Sequence, residues 1–450
     1  MAVQSVPPGP RGREVFDFLG GGSVARTLGF LEQTARRFGP ISSFRILSRR
    51  MYLVDDPELI QQILVTEQHR YARDTGATLL RELVGDGLLT RDEPSHRERR
   101  RLLQPAFHRE QIASYAAHMV REAERTAREW REGSAVDIGV EMRKLTLAIA
   151  GVSLFGTDFR ESAGEIAAVL RRVIRRLAWL GPVFTFIEGI PLVYRRLFPH
   201  GRSLFFPSER AELERILAPL IERRRAAGAT DLLSMLLGLR DETSRPLSDE
   251  DVRNEVVTLV LAGHETTAAA LTSSWFLLSC HPRVESCLHA EVDAVLGTRE
   301  ATLEDLGRLR YTSMVFTEAM RLYPPAPIFG RRPLETVKLA GYAVSRGTSI
   351  LLSPYVTHRN ARYFEHPAAF EPERWEGLTP PKFAYFPFGG GAKLCLGESF
   401  ARMEGVLALA SLARSWRVIA TKELPAGVAP DIGVRSQSPI RMRLERRRTE

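Results

Sequence analysis

Apolar side chains recur every three or four residues along most of the chain, and this period predicts a mainly helical protein. One such pattern spans residues 28–38, another spans 400–410, and further helical patterns fill much of 57–240. Capping-box patterns at Ser248/Asp251 and Thr302/Asp305 predict where two more helices begin. Helices therefore account for most of the predicted structure.

Strand-like alternation is confined to short segments. Residues 41–55 contain two alternating runs, Phe44/Ile46 and Met51/Leu53, which predict a β-hairpin. Residues 335–357 also indicate short strands, separated by turns at glycine. With the helices, these runs predict a mainly α fold with small β-sheets, an α+β arrangement.

A long apolar segment at residues 256–280 admits two interpretations. It carries a single formal charge, Glu265, and is long enough to span a bilayer. Its centre, however, holds His264 and Glu265, which a membrane helix would place at the most costly depth. We therefore favour the buried axis of a large core, with a membrane protein built on this segment as the alternative.

Composition limits the class of protein. The 450 residues are 44% hydrophobic, too much for a disordered chain, and the net charge of +9 does not require nucleic acid. Three cysteines in so long a chain exclude a disulfide scaffold and favour a reducing compartment, the cytoplasm. The N-terminus shows no secretory signal. We predict one domain over residues 1–450, with a proline-rich segment at 1–13 and a solvated basic tail at 441–450.

The most informative segment surrounds Cys395, which follows a glycine-rich loop and precedes a predicted helix. A helix N-terminus favours an anion, so we expect a lowered pKa for the Cys395 thiol. No partner Cys or His lies at the spacing of a structural zinc site, whereas a single thiolate suits haem iron. The alternative is a buried structural cysteine with close glycine packing.

The pattern Phe388-x-x-Gly391-x-Lys393-x-Cys395-x-Gly397 resembles the haem-binding signature of the cytochrome P450 family. The resemblance implies haem b, with Cys395 as the iron ligand and Phe388 and Gly391 in the cofactor loop. Lys393 stands where the family usually has Arg. It would contact a haem propionate as a point charge and not as a fork.

A second family motif is Glu318-x-x-Arg321, followed downstream by Arg374-Trp375. Taken alone, the first pair could be an ordinary surface ion pair. The resemblance implies that Glu318, Arg321 and Arg374 form a buried structural triad, because buried charges persist when they are paired. Trp375 stands where the family often has Phe, and we expect a simple aromatic exchange.

The long apolar helix carries Ala262-Gly263-His264-Glu265-Thr266-Thr267, which resembles the family's oxygen-activation motif. Thr266 can bond back to the carbonyl of Ala262, which tends to bend a helix. The resemblance implies that Thr266 and Glu265 are the catalytic proton-delivery groups, and that Ala262 and Gly263 leave room beside the haem. A core helix whose threonine bonds back without function is the alternative.

A fourth motif, His96-x-x-x-Arg100, places both side chains on one helix face. By resemblance, His96 and Arg100 bind the haem propionates, as does Arg331, although Arg332 beside it leaves that register open. A solvated basic helix face is the alternative, and it suits Arg97, Arg99 and Arg101 better than Arg100.

The implied reaction inserts one oxygen atom from dioxygen into an apolar small molecule such as a terpenoid, a fatty-acid-like compound or a polyketide. Electrons would come from a separate ferredoxin or flavodoxin-type donor, docking on a basic face with Arg97, Arg99, Arg101 and Arg402 as candidates. A peroxide-driven or isomerase-type haem-thiolate enzyme and a non-catalytic haem sensor or carrier remain alternatives.

The substrate pocket is inferred by analogy with the family. Residues 177–194 would form a mobile entrance. The candidate lining residues are mainly aliphatic and aromatic: Leu79, Leu80, Val84, Leu88, Phe184, Phe186, Leu261, Ala262, Ile328, Phe329 and Gln437.

Overall fold

Helices dominate the computed structural model, as the apolar period predicts. It describes residues 6–15, 24–46, 49–159, 206–227, 232–239, 246–421 and 439–447, with short helical pieces between 164 and 176. The predicted entrance at 177–194 lies outside the described residues. In chain order, the helices are α1 (Val24–Phe38), α2 (Pro57–Gln61), α3 (Thr75–Val84), α4 (Ser95–Leu103), α5 (Arg109–Glu129), α6 (Ile138–Phe155), α7 (Pro207–Ala227), α8 (Leu232–Gly238), α9 (Asp249–Cys280), α10 (Pro282–Leu296), α11 (Arg310–Leu322), α12 (Pro354–Thr357) and α13 (Glu398–Ser415).

Short strands form small sheets beside the helices. They are β1 (Ile41–Ile46), β2 (Arg49–Val54), β3 (Tyr71–Arg73), β4 (Ala135–Asp137), β5 (Phe329–Pro333), β6 (Val337–Leu339), β7 (Tyr342–Val344), β8 (Ser349–Leu352), β9 (Trp416–Ala420) and β10 (Arg441–Arg446). The larger sheet has the order β1-β2-β8-β5-β3, a second has β4-β10-β9, and β6 pairs with β7. The predicted hairpin is confirmed, with Phe44 opposite Met51.

Helix α9 is the buried axis that the sequence favours. Its N-cap is Ser248, whose side chain accepts a hydrogen bond from the Asp251 N–H. Helices α6, α7, α11 and α13 all pack against it. Most of its side chains are buried all round, although Ala262 in the middle is exposed. Among the described residues, no helix combines the length and apolar character that a membrane span needs.

Segments near both ends of the chain pack against the rest of the fold. Near the N-terminus, the carbonyls of Pro7 and Pro8 accept hydrogen bonds from the Ser43 hydroxyl and N–H on β1. At the other end, the prediction of a solvated basic tail is wrong, because Arg441–Arg446 form strand β10. Met442 and Leu444 alternate with the arginines and are fully buried, a strand period that the basic charge concealed.

Of the two predicted capping boxes, one begins an α-helix and the other begins a 3₁₀ turn. Ser248 begins α9 as expected. The Thr302/Asp305 box is present, but it opens a short 3₁₀ turn, Leu303–Gly307, and α11 begins only at Arg310. The carboxylate of Asp305 also binds Arg299 through two 2.6 Å contacts, which hold the turn against the end of α10. A capping box therefore marks a helical turn here, without deciding whether it continues as an α-helix.

Candidate functional site

The Cys395 loop is held by its own backbone and by the neighbouring chain. The Cys395 N–H donates to the Phe388 carbonyl at 3.0 Å, which closes the loop. Gly391 has a positive φ of 69°, and a Cβ there would lie 1.6 Å from the Leu64 carbonyl oxygen. Only glycine allows this approach, so the glycine-rich spacing has a direct steric cause. The loop leads into α13, which begins at Glu398.

The expected lowering of the Cys395 pKa is wrong for the protein alone. The side chain is exposed, yet it is surrounded by enough protein that burial raises the pKa of the thiol. The Glu398 carboxylate adds to the rise, while the Gly397 N–H and the Arg100 guanidinium oppose it. Loss of hydration therefore outweighs the helix N-terminus. A metal cation at the sulfur reverses this balance, because a coordinated thiol is deprotonated.

Helix α4 brings His96 and Arg100 to the cysteine loop, as the motif implies. The Arg100 guanidinium donates to the Leu394 carbonyl at 2.6 Å. His96 is buried, with its Nδ1 3.1 Å from a Glu93 carboxylate oxygen. Burial and the nearby Lys393 lower the pKa of His96 to about 3, so its imidazole is neutral.

The basic face expected on α4 needs one correction. Arg97 is 82% exposed, and Arg101 is exposed as well. Arg99, in contrast, is buried and lies 2.6 Å from the Asp251 carboxylate and 3.4 Å from that of Glu255, both on α9. It joins two helices and takes no part in a solvated face. A run of arginines does not reveal which one points inward.

Positive charge is concentrated near this loop. We call Arg73, His96, Arg331 and Lys393 the cation cluster. Arg331 is buried, and burial lowers its pKa, whereas the Arg332 guanidinium donates to the Arg73 carbonyl at 3.0 Å. The Lys393 Nζ is buried with no hydrogen-bond partner among the described residues, and its closest acid, Asp92, is 3.9 Å away. Burial and Arg73 lower the pKa of Lys393 to about 8.

Arg73 was missed by the motif analysis. It ends β3 directly opposite Arg331 on β5. Its position in the sequence, at the end of a three-residue strand, carries no recognisable motif. Nothing local could have paired it with a residue so distant in the chain.

The α9 motif adopts the expected back-bond. The Thr266 hydroxyl donates to the Ala262 carbonyl at 2.7 Å. Leu261, Ala262 and Gly263 are all accessible, within a helix that is otherwise mostly buried, so a groove opens at this point. A Cβ at Gly263 would meet only Leu154, at 4.0 Å, so protein packing leaves room there for another group.

Glu265 lies beside a neutral histidine. Its side chain is 7% exposed, and one of its carboxylate oxygens is 3.7 Å from the His264 Nε2. Burial lowers the pKa of His264 to about 3, so this contact is not an ion pair at neutral pH. The Thr146 hydroxyl on α6 donates to the His264 carbonyl at 3.0 Å, which anchors this turn of α9.

A second carboxyl next to the motif was not predicted. Glu404 on α13 is fully buried, and neither of its carboxyl oxygens has a hydrogen-bond partner among the described residues. Burial raises its pKa well above the ordinary range, against a smaller lowering effect of the nearby Thr267 hydroxyl. Burial therefore favours the protonated form of this acid. Thr267 places the motif on α9 next to this acid on the helix that begins three residues after Cys395.

The buried triad is confirmed by its contacts. The Glu318 carboxylate accepts hydrogen bonds from Arg321 at 2.8 and 2.9 Å and from Arg374 at 2.9 Å. Glu318 and Arg321 are both fully buried. The indole of Trp375 also donates to Glu318, at 2.9 Å. Trp375 is thus more than an aromatic exchange, since phenylalanine has no group that could make this contact.

The pocket candidates are partly described. Val84 and Leu88 are buried, whereas Leu80, Leu261, Ile328 and Phe329 are partly accessible. Phe184, Phe186 and Gln437 lie outside the described residues. The side chain of Leu79 is not described either.

The donor set fits haem. Cys395 is accessible in the loop, and the buried Lys393 Nζ, which has no hydrogen-bond partner among the described residues, could bind a carboxylate. Haem carries two carboxylates and an iron that accepts a thiolate. Elsewhere, the described residues contain no group of His, Cys, Asp and Glu side chains that could hold a metal ion. The chemistry of the site therefore agrees with the implied cofactor.

Comparison with known proteins leads to the same family. The family model described as Cytochrome P450 matches residues 7–432. Cyclooctatin synthase of Streptomyces melanosporofaciens is 38% identical over 84% of this chain and 83% of its own length. Pentalenene oxygenase of Streptomyces avermitilis is 33% identical over 94% of this chain and 93% of its own length. The crystal structure of the cytochrome P450DA heme domain aligns with a TM-score of 0.84 at 27% identity, covering 100% of this chain and 99% of that one.

These matches extend over nearly the whole chain and agree with the fold and the donor set. Enzymes of this kind act on small molecules and receive electrons from a redox partner. The chain belongs to the cytochrome P450 family, as a haem-thiolate monooxygenase with haem b as its cofactor.

Proposed function

We propose that this monooxygenase inserts one oxygen atom into a terpenoid hydrocarbon. The observation that carries the proposal is the opening in α9, where Thr266 bonds back to Ala262 beside the buried Glu265. The accessible residues around it, Leu261 and Ala262, are apolar. The relatives support a terpenoid over a fatty-acid-like compound or a polyketide, since pentalenene oxygenase is named for a terpene hydrocarbon.

In this proposal Cys395 binds the iron as a thiolate. Phe388 and Gly391 hold the loop around the sulfur through the contacts described above. His96, Arg100, Arg331 and Lys393 bind the haem carboxylates, and the Arg100, Arg331 and Lys393 side chains donate the hydrogen bonds. When bound, the cofactor supplies the activation of dioxygen. The first test is the reduced protein under carbon monoxide, where thiolate ligation produces a strongly red-shifted Soret band.

Thr266 and Glu265 deliver protons in the proposed reaction. The Thr266 hydroxyl is held at the groove by its bond to Ala262, and Glu265 is the adjacent acid. Ala262 and Gly263 leave the space in which the reaction occurs. General acid catalysis by one positioned group typically contributes about 10²- to 10⁴-fold.

Thr266→Ala tests this role. We expect oxygen consumption to continue while the product formed per oxygen falls about tenfold or more, because the proton is no longer delivered at the correct place. Thr272→Ala is a matched control, since Thr272 on the same helix makes the same 2.7 Å back-bond, to Ala268. Unchanged coupling in Thr266→Ala would favour a peroxide-driven or isomerase-type enzyme.

The substrate class is tested by spin-state titration of the ferric enzyme. We expect cyclic terpene hydrocarbons to shift the Soret band at micromolar concentration. Fatty acids and macrolide polyketides of similar size should produce weaker shifts. A response to fatty acids alone would reject the terpenoid assignment but leave the monooxygenase class intact.

We further propose a ferredoxin or flavodoxin-type electron donor. Arg97 and Arg101 provide exposed positive charge, and the half-buried Arg402 pairs with Glu398 at 3.0 Å. The exposed Leu394 lies directly beside Cys395. The Arg402 guanidinium also stacks over the Phe388 ring at 4.9 Å, so it is close to the cysteine loop. Arg99 is removed from this surface because it is buried against Asp251.

Electron transfer from an acidic ferredoxin should slow as salt is added, because the attraction is screened. Arg402→Gln should weaken this salt dependence, while Arg36→Gln on the exposed face of α1 should leave it unchanged. Transfer that is independent of ionic strength would reject this docking surface.

Two further expectations remain proposals. We propose that residues 1–450 form one domain, supported by the family match over 7–432 and by the pairing of β10 with β4 and β9. We also propose a cytoplasmic location, supported by the three free cysteines. A single cooperative unfolding transition of the holoenzyme would agree with the first proposal.

A further inference from the structure

Two arginines face each other across the larger sheet. Arg73 on β3 and Arg331 on β5 are directly paired in the antiparallel register. Like charges directly opposite each other destabilise a strand pair. Burial increases the cost, because the loss of hydration lowers the pKa of Arg331 and lowers that of Arg73 to about 10. Such a pair is expected to persist where an anion binds.

Arg73 lies close to Lys393 in the cation cluster. The Arg73 N–H donates to one Asp92 carboxylate oxygen at 3.3 Å, and the Lys393 Nζ is 3.9 Å from the same oxygen. Lys393 contributes a buried ammonium whose nitrogen has no hydrogen-bond partner among the described residues. Four basic groups from β3, α4, β5 and the cysteine loop thus converge on one region.

The acids close to the cluster do not neutralise it. Asp74 and Asp92 raise the pKa of Arg73, but burial and Arg331 lower it by more. Asp92 is 3.9 Å from the Lys393 Nζ, too far for a hydrogen bond. Glu93 makes its closest contact with His96, which is neutral. Among the described residues, neither the Arg73 guanidinium nor the Lys393 Nζ is therefore hydrogen-bonded to a carboxylate, which favours an anionic ligand.

The hydrogen bonds of Arg73 to the protein are long. Its guanidinium donates to the Arg91 carbonyl at 3.3 Å and to the Leu88 carbonyl at 3.5 Å. Neither contact involves a carboxylate. Guanidinium groups bind carboxylates most strongly through two parallel hydrogen bonds. The side chain is thus oriented by weak contacts to the 88–91 segment while its strongest kind of interaction remains available.

We propose that Arg73 is a further carboxylate-binding residue of the haem site, acting together with Arg331. It supplies the guanidinium that Lys393, in place of the usual arginine, does not provide. In this proposal the planar guanidinium is supplied by Arg73 on strand β3, whereas the cysteine loop supplies only the ammonium of Lys393.

Haem retention by the holoenzyme tests the proposal without any turnover. The ferric protein is mixed with excess apomyoglobin as an acceptor, and the rate of haem transfer is followed in the Soret region. We expect Arg73→Gln to lose haem about ten- to hundredfold faster, as for the loss of a charge-assisted hydrogen bond. Arg70→Gln is the matched control, because Arg70 precedes the same strand but pairs on the surface with Glu335 and Glu67. It should behave as the wild type does.

A second measurement separates carboxylate binding from a purely structural role. The full-length chain is reconstituted with haem or with its dimethyl ester, which lacks the carboxylate charges. The wild type should retain haem better than the diester, and Arg73→Gln should reduce this preference. If Arg73 only holds the 88–91 segment, both cofactors would be lost faster by the same factor, and the proposal would be rejected.

Arg73→Lys provides the variant that keeps the charge. An ammonium cannot form the fork, so an intermediate preference for haem over the diester is expected. If Arg73→Gln does not fold, this variant decides the question on its own. A preference equal to that of the wild type in Arg73→Lys, together with equal haem loss, would overturn the proposal.

Discussion

Two groups of buried charge in this protein are organised in opposite ways. In the triad, Glu318 is surrounded by Arg321, Arg374 and the Trp375 indole, all within 2.9 Å. The remaining Arg321 N–H groups donate to the carbonyls of His358, Pro367 and Ala369 at 2.7–2.9 Å. The triad is therefore complete within the chain.

The cation cluster is not complete in this sense. Its basic groups come from separate elements, the Lys393 nitrogen has no hydrogen-bond partner among the described residues, and the pKa values of its members are lowered. Both groups contain charged residues at low exposure, so burial alone does not distinguish them. The difference is whether opposite charge is supplied by the protein itself. A complete cluster supports the fold, and an incomplete one indicates a charged ligand.

Glu318→Gln should produce the largest effect, because it leaves two guanidinium groups buried without an anion. We expect a loss of about 3–5 kcal/mol in the free energy of unfolding. Glu371→Gln is the control, since Glu371 also pairs with Arg374, at 3.0 Å, but is 43% exposed. It should cost under about 1 kcal/mol. Urea unfolding measures both, and equal losses would mean that completeness of the triad is not what stabilises it.

Glu255→Gln tests a buried carboxyl whose charge is only partly compensated by the protein. Glu255 lies 3.4 Å from Arg99 and accepts from the Leu88 N–H, yet burial raises its pKa to about 7 from an ordinary 4.5. Between these values the folded state binds more protons than the unfolded state, so stability falls as pH rises from 4.5 to 7.

The variant should remove a slope of at most roughly 1.4 kcal/mol per pH unit. Urea unfolding at several pH values between 4.5 and 7 provides the measurement. A parallel pH dependence in wild type and Glu255→Gln would show that this carboxyl does not bind the extra proton.

Lys393→Met should change the free energy of unfolding in the opposite direction to Glu318→Gln. Removing an unmatched cation should stabilise the haem-free chain by on the order of 1 kcal/mol, while haem is lost faster. The folded pKa of about 8 lies below the ordinary 10.5, so the unfolded state binds more protons between these values. Wild-type stability should therefore rise from pH 8 to 10.5, relative to the variant. A less stable haem-free variant would contradict the comparison.

The locally encoded parts of the site could be predicted from sequence. The Thr266 back-bond to Ala262 follows from helix geometry, because residues four apart meet on every α-helix. Glu318 and Arg321 are three apart on α11 and meet for the same reason. Glycine at position 391 is favoured locally by the positive φ of 69° that the tight loop requires. Such contacts depend on few residues and short separations.

Tertiary structure decided what depends on distant neighbours. The pairing of Arg73 with Arg331 follows from the strand register between β3 and β5, which no local pattern determines. Packing of α4 against α9 decided that Arg99 is buried while Arg97 is exposed. Burial also made the Cys395 pKa rise where the helix N-terminus alone would lower it. Hydration is lost only when separate elements come together, so the sequence determined which chemical groups are present, and the folded structure decided their charge and their partners.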